Sequence, residues 1–174
     1  MFLDRDGVIN RVHTRHGTPY PPACLADLEL LPDVADALRQ LKARGYQLVV
    51  VTNQPDVARG TSSRERVEAI HAHLQVALSL DAVLCCFHDD ADGCGCRKPS
   101  PGLLLDAAQQ LKIDLQSSFM VGDRWRDMEA GRRAGCTTFF IDWGYTEKPP
   151  DSCDYRVASL AEASRIILAE ADLS

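Results

Sequence analysis

Two rhythms of apolar and polar residues take turns along the chain. Short, nearly unbroken apolar or β-branched runs lie at the start of Met1–Asn10 and at Gln47–Thr52, Ala82–Phe87, Ser118–Val121 and Thr137–Ile141. They read as strands buried on both faces. Between them, apolar residues recur every three or four positions. That spacing predicts a helix over 33–44 with Val34, Ala35, Leu38 and Leu41 inward and Gly45 as its stop. A second helix starts at Ser62, with Glu65 completing a capping box; Val67, Ile70, Leu74 and Leu78 share one face, and His71 and His73 fall on the solvated side. Pro101 opens a helix carrying Leu104, Ala108 and Leu111. Residues 127–134 form another, and Ser159 with Glu162 caps a last one bearing Leu160, Ala163, Ile167 and Leu168. Residues 11–32, rich in proline and histidine, read as a loop.

Strands separated by helices predict an α/β fold, a Rossmann-like parallel sheet with helices on both faces. One domain over residues 1–174 is expected, without repeats or linkers. The stretches 7–51 and 55–94 have room for a helix, a strand and loops, so no separate cap domain is expected. In such sheets ligands gather outside the carboxyl ends of the strands. Asp4 and Asp6, Thr52 and Asn53, the Arg97-Lys98 region and Asp123 all follow predicted strand ends, so the fold can bring them to one crevice.

Charge narrows the partners. The net charge of -6, without a lysine/arginine block, argues against a nucleic-acid surface and against attraction to anionic membranes. A small phosphorylated substrate remains compatible, because it needs only local positive charge. No apolar run approaches the roughly 18 residues of a membrane span, and no signal segment precedes the first strand. A cytoplasmic monomer is expected. The seven cysteines are an odd number, which disfavours a disulfide framework; four of them crowd between positions 85 and 96 beside His88, the clustering of a metal site.

The opening Asp4-Arg5-Asp6-Gly7 ends an apolar run in two carboxylates that repel each other unless a cation or a shared proton offsets them. Alone, it fits a capped turn as well as a site. Together with Asp123, the two aspartates suit a hard cation, for which magnesium is the usual choice. Thr52 offers a hydroxyl and Lys98 a point charge for phosphoryl oxygens. A carboxylate nucleophile, a second carboxyl, a metal and a lysine are the parts needed for phosphoryl transfer through an aspartyl-phosphate. An acidic metal-binding crevice without turnover is the alternative.

Asp4-Arg5-Asp6-Gly7, Thr52-Asn53-Gln54, Arg97-Lys98-Pro99 and Gly122-Asp123-Arg124-Trp125-Arg126-Asp127 resemble the four ordered motifs of the haloacid dehalogenase superfamily of phosphatases, over roughly residues 1–145. The resemblance implies that Asp4 is the nucleophile and that Asp6 is first the general acid, then the base that activates water. It implies that Thr52 and Lys98 hold the phosphoryl group, and that magnesium is held by Asp4, Asp123 and the backbone carbonyl of Asp6. Asp127 would be a further ligand or a support for one. Asn53, Gln54, Arg59, Arg97 and Arg124 are the candidate substrate contacts, each arginine equally compatible with a solvated surface position.

Cys86, His88, Cys94 and Cys96, just before Arg97-Lys98, have the ligand types of a structural Cys₃His zinc site. Cys85 competes with Cys86, but neighbouring strand residues point to opposite faces, which favours Cys86. Cys24, Cys85, Cys136 and Cys153 are then core or surface thiols, and redox-active cysteines are the non-metal alternative. The arrangement is similar to that of the heptose 1,7-bisphosphate phosphatases and of the related histidinol-phosphate phosphatase domains. That implies a zinc-stapled loop over about 85–97 and a phosphorylated-sugar substrate, with heptose 1,7-bisphosphate at its 7-phosphate expected first. Histidinol phosphate, another sugar phosphate, and a non-catalytic zinc-stapled binding domain are the alternatives. Pro55-Asp56-Val57 and Arg124 depart from the heptose pattern, and residues 11–22 are longer than that pattern suggests, which places His13, His16 and Gly17 near the expected substrate.

Overall fold

The structure, a computed structural model, describes residues 1–172. Its elements in chain order are β1 (Phe2–Leu3), a hairpin of β2 (His13–Arg15) and β3 (Thr18–Tyr20), α1 (Val34–Ala43), β4 (Val49–Asn53), α2 (Arg64–Ala77) and β5 (Ala82–Cys86). Then come α3 (Gly102–Leu111), β6 (Phe119–Gly122), α4 (Trp125–Ala134), β7 (Thr137–Ile141), β8 (Tyr155–Val157) and α5 (Leu160–Ala171).

Six strands form one parallel sheet in the order β5-β4-β1-β6-β7-β8. The chain leaves β1 in the middle, builds β4 and β5 outward on one side, then returns to build β6, β7 and β8 on the other. The reversal beside β1 opens a crevice at the carboxyl ends of β1, β4 and β6. Both faces of the sheet are covered, which is why its strands read as nearly continuous apolar runs. Leu3, Val50, Val121 and Phe139 pack with α1, α2 and α5 on one face. Phe2, Val49, Val51 and Met120 pack with α3 and α4 on the other. No helix among the described residues is long and apolar enough to cross a membrane. Among the described elements, the β2–β3 hairpin and a short 3-10 turn at Leu25–Asp27 lie between β1 and α1, and α2 lies between β4 and β5.

Several expectations need correction. The stretch 11–32 holds a β-hairpin, which its short exposed strands and lack of apolar alternation concealed. Ala37, not Ala35, lies on the inner face of α1, directly beside Leu38. The cap of α2 is Ser63, whose hydroxyl accepts from the Arg66 amide, so the Ser62–Glu65 box is not the one used. Most consequentially, His71 is buried on α2, whereas His73 is exposed as expected. The sixth strand, β8, lay hidden in the segment after residue 150, where three residues are too few for a periodic signal. Behind it α5 caps the sheet with Leu160, Ala163 and Ile167, as their spacing predicted.

Candidate active site

The site is built around residues at the ends of three adjacent strands. Just past the end of β1, Asp4 is buried, and its Oδ1 accepts from the Arg5 amide at 2.8 Å. Gly7 then turns the chain at φ +80, and a Cβ there would lie 1.9 Å from Asp123 Oδ2. Past β6, Asp123 sits opposite, with Asp127 on the first turn of α4. Gly122 is equally constrained, since a Cβ on it would meet Asp127 Cβ at 2.1 Å. Carboxylate oxygens of Asp4, Asp123 and Asp127 all lie within 4.8 Å of one another.

One buried cation answers part of this charge. Lys98 Nζ lies 3.0 Å from Asp4 Oδ1 and 2.7 Å from Asp127 Oδ1, and donates to the Val51 carbonyl at 2.7 Å. An ammonium has three donors, and all three are engaged. A phosphoryl oxygen therefore reaches Lys98 only by sharing or displacing one of these partners. Burial disfavours the Lys98 charge, but Asp127 and Asp4 outweigh it and raise the pKa. Burial pushes the Asp4 carboxyl up to about 6 against the pull of Lys98, and raises Asp123 well above the carboxylate range, with Asp4 and Asp127 adding to the effect. Asp123 Oδ1 is buried and has no hydrogen-bond partner. Three buried carboxylates, one lysine and an orphaned oxygen fit a divalent cation, which would favour the ionised forms that burial opposes.

Asp6 occupies a different environment two residues on. Its Oδ1 accepts from Arg5 Nε at 3.2 Å, Arg5 Nη2 at 2.9 Å and Asn10 Nδ2 at 2.9 Å. Its Oδ2 accepts from Arg5 Nη2 at 2.9 Å and Gln54 Nε2 at 2.7 Å. Burial opposes its charge, yet Arg5, Asn10 and Gln54 outweigh that and hold its pKa below the ordinary value. The two aspartates thus diverge, Asp4 pushed up and Asp6 down, because only Asp6 has a guanidinium of its own. The Asp6 carboxylate is not among the side chains grouped around the cation position.

The remaining candidates fall into place unevenly. Buried Thr52 accepts from Gln54 Nε2 at 3.0 Å. Asn53 spends both ends of its amide on the Lys98 backbone, at 3.0 and 3.1 Å, and so fixes the lysine's position. The cleft, about 280 Å³, is lined by Asp4, Asp6, Gln54, Lys98, Asp123 and Asp127, with Arg59, Arg97, Arg124 and Arg126 among its other lining residues. Arg59 is tied to Asp89, Arg97 and Arg126 share Asp90, and Arg124 binds Glu147. The side chain of Arg97 is 10% exposed and that of Arg59 45%. From the hairpin, Thr18, Pro19 and Tyr20 line the cleft. His13 and His16, expected near the substrate, do not, because in the hairpin they are exposed and the wall is formed by its second strand.

Sequence reasoning missed Tyr145, whose hydroxyl donates to Asp123 Oδ2 at 2.9 Å, and the buried pair of Arg5 and His71. No local pattern marks Tyr145. An arginine inside an apolar strand end and a histidine one residue from Ile70 were signals of burial that could have been weighed.

Beside the cleft, Cys86, His88, Cys94 and Cys96 bring their ligand atoms together. Sulfur–sulfur distances are 3.6, 3.2 and 3.4 Å, and His88 Nδ1 lies 3.5 Å from Cys86 Sγ and 3.3 Å from Cys96 Sγ. Sulfurs about 2.3 Å from one zinc ion in a tetrahedron stand roughly 3.8 Å apart, so this is a slightly contracted zinc-sized cage. Burial opposes ionisation of Cys94, but donors from Cys96 and the Arg97 backbone bring its thiol down to about 7. Cys85, in register with Thr52, stands outside the group, and burial pushes its thiol up to about 12.

A family model of haloacid dehalogenase-like hydrolases matches residues 4–135. The chain is 36% identical over 181 residues to the D-glycero-beta-D-manno-heptose-1,7-bisphosphate 7-phosphatase of Pasteurella multocida, covering 96% of this chain and 95% of that one. It is 35% identical to the Escherichia coli K12 protein of the same name, covering 96% and 92%. The crystal structure of D,D-heptose 1,7-bisphosphate phosphatase from B. bronchiseptica, complexed with magnesium and phosphate, superposes with a TM-score of 0.80 at 30% identity over 98% of each chain.

Proposed function

This chain belongs to the haloacid dehalogenase-like hydrolases, and from that premise we propose that it is a phosphatase acting on a phosphorylated sugar, D-glycero-D-manno-heptose 1,7-bisphosphate at its 7-phosphate. The names of the relatives in Pasteurella multocida and Escherichia coli support the substrate. The observation that carries the chemistry is the buried group of Asp4, Asp123, Asp127 and Lys98, with one oxygen of Asp123 left without a partner.

In this reading, an Asp4 carboxylate oxygen attacks the phosphorus in line with the P–O bond to the sugar. That bond breaks, its electron pair goes to the sugar oxygen, and Asp6 supplies the proton. Asp6 then accepts a proton from the water that attacks the aspartyl-phosphate, releasing phosphate and restoring Asp4. Arg5, Asn10 and Gln54 keep Asp6 ionised at rest, which suits the second half; a phosphate dianion brought beside it opposes that charge and favours the protonated form needed for the first. Lys98, with Asn53 fixing its backbone, neutralises the nucleophile's surroundings, and Thr52 offers a hydroxyl to the phosphoryl group. Asp4, Asp123, Asp127 and the Asp6 carbonyl would hold magnesium, which supplies positive charge against a negative nucleophile and a negative phosphate when bound.

Cys86, His88, Cys94 and Cys96 would hold a structural zinc, making residues 85–97 a stapled loop that presents Arg97 and Lys98. Arg59, Arg97, Arg124 and Gln54 face the cleft and would read the remainder of the substrate. The whole is proposed to act as a one-domain cytoplasmic monomer. A phosphate-release screen with magnesium, comparing heptose 1,7-bisphosphate, histidinol phosphate and common sugar phosphates, tests the substrate. Preference for histidinol phosphate over every sugar would overturn it, and undiminished turnover by Asp4→Asn would overturn the nucleophile.

A further inference from the structure

Arg5 is the bulkiest of the fully buried side chains, at 1% exposure, and it does not face solvent or the cation position. Its Nε and Nη2 clasp both oxygens of Asp6. The remaining nitrogen, Nη1, meets His71 Nε2 at 3.0 Å, across 66 positions of sequence. A guanidinium only donates, so Nε2 is the acceptor and the ring is neutral with its proton on Nδ1. No residue of α2 lines the cleft, yet this contact ties the helix to the carboxylate that carries the proton.

We propose that His71 is a positioning residue for the reaction: it holds the Arg5 guanidinium, which in turn fixes the plane of the Asp6 carboxylate. The proposal rests on the reading of Asp6 as the proton carrier. Asn10 and Gln54 each fix one oxygen of Asp6, but the Arg5 fork touches both and so sets the tilt. With the His71 acceptor removed, Nη1 becomes a buried charged donor without its partner. Rotation of the guanidinium relieves that, and carries the clasped carboxylate with it. Proton transfer depends on reach and alignment, so the loss falls on both proton transfers of Asp6, of which only the first, as the sugar oxygen leaves, depends on the leaving group.

Leaving groups separate this from a merely structural role. A sugar alkoxide needs the proton from Asp6 as the P–O bond breaks, whereas p-nitrophenolate leaves without it. The first turnover, in which the leaving group departs before any aspartyl-phosphate is hydrolysed, is followed with the magnesium-supplemented protein in excess over heptose 1,7-bisphosphate, or the best alkyl phosphate found for it, and over p-nitrophenyl phosphate. For His71→Leu, first-turnover release of the alcohol from the alkyl phosphate falls about 10-fold or more, while first-turnover release of p-nitrophenolate stays within about threefold. His71→Gln, whose amide oxygen accepts a hydrogen bond, recovers most of the loss. Equal first-turnover loss on both substrates, or no loss, overturns the proposal. Should His71→Leu fail to fold, Arg5→Lys carries the same comparison, since an ammonium cannot span Asp6 and His71 together. Asp6→Asn is run alongside. If it shows the leaving-group-selective loss and the His71 and Arg5 variants do not, His71 has no positioning role and Asp6 keeps its own; if Asp6→Asn lacks that selectivity, the role of Asp6 itself falls.

Discussion

The Tyr145 hydroxyl donates to one oxygen of Asp123 at 2.9 Å, while the other oxygen of the same carboxylate is buried without a partner. Tyr145 is held there by its neighbours: Trp143 Nε1 donates to the Gly7 carbonyl at 2.8 Å, and the Thr146 amide to the Gly17 carbonyl at 3.2 Å. The tyrosine therefore restrains the rotation of Asp123, one of the three carboxylates grouped with Asp4 and Asp127. Tyr145→Phe is expected to weaken magnesium binding by about 10-fold or more, as loss of a partner to a metal-ligating carboxylate does. Calorimetric titration of the variant with magnesium, read beside its unchanged melting temperature without the ion, checks this.

Gly7 is confined from two sides, by its φ of +80 and by Asp123 Oδ2 at 1.9 Å from any added Cβ. Gly7→Ala must displace Asp123 or the turn itself. Turnover is expected to fall by roughly 100-fold or more, because misplacement by about 1 Å costs that much. Steady-state kinetics at saturating magnesium, with circular dichroism to establish folding, measures it.

Lys98 neutralises two buried carboxylates, Asp4 and Asp127. Lys98→Met leaves both without their cation and the Val51 carbonyl without a donor. Breaking a buried pair in this way costs about 3–5 kcal/mol. A lower urea midpoint with an unchanged slope is the expected result.

Burial pushes the His71 pKa down from 6.5 to about 4, and the Arg5 charge adds to the effect. The unfolded chain then binds this proton more readily than the folded one, so stability present above pH 6.5 is lost as pH falls through the window from 6.5 to 4. The loss attributable to His71 is about 2 kcal/mol by pH 5. Urea unfolding at pH 7 and pH 5, with His71→Gln as the reference that lacks the titrating ring, isolates it; an equal pH dependence in both proteins would contradict it.

Zinc, if the thiol cluster holds it, ties the β5 end to the loop that delivers Lys98. Elemental analysis is expected to find about one zinc per chain. Cys94→Ser should lower the melting temperature and, because Lys98 follows two residues after Cys96, reduce turnover as well. Retained zinc at full stoichiometry in Cys94→Ser would remove this residue from the ligand set.

Much of the architecture is legible in the chain because its causes are local. Val49-Val50-Val51 is apolar throughout since the strand is covered on both faces, and Leu38 and Leu41 repeat at helical spacing since α1 covers one of them. The placement of Asp4, Thr52 and Asp123 at one edge was also accessible from sequence, because each lies at or just past the carboxyl end of a strand and parallel sheets gather those ends, while Lys98 is brought there by the loop after β5. Where the causes are not local, reading failed. The spacing of α2 puts His71, four residues after Val67 and three before Leu74, on the inward face, against the expectation of a solvated histidine, and the buried guanidinium of Arg5 is the partner that lets a polar ring stay there.

By itself, then, the sequence determined the alternation of the five apolar runs with the helices, the cysteine–histidine loop and the set of groups at the sheet's edge, through burial and turn chemistry that act within a few residues, while the β2–β3 hairpin and β8 stayed hidden. Only the tertiary structure decided how those groups differ. Asp4 and Asp6 are two positions apart and chemically identical, yet one shares a lysine with Asp127 and the other accepts from Arg5, Asn10 and Gln54. Those partners come from the segments that follow β1 and β4, from α4 and from the loop before α3. A carboxylate's charge and aim depend on what is packed within a few ångströms of it, and that is fixed by the fold rather than by its neighbours in the chain.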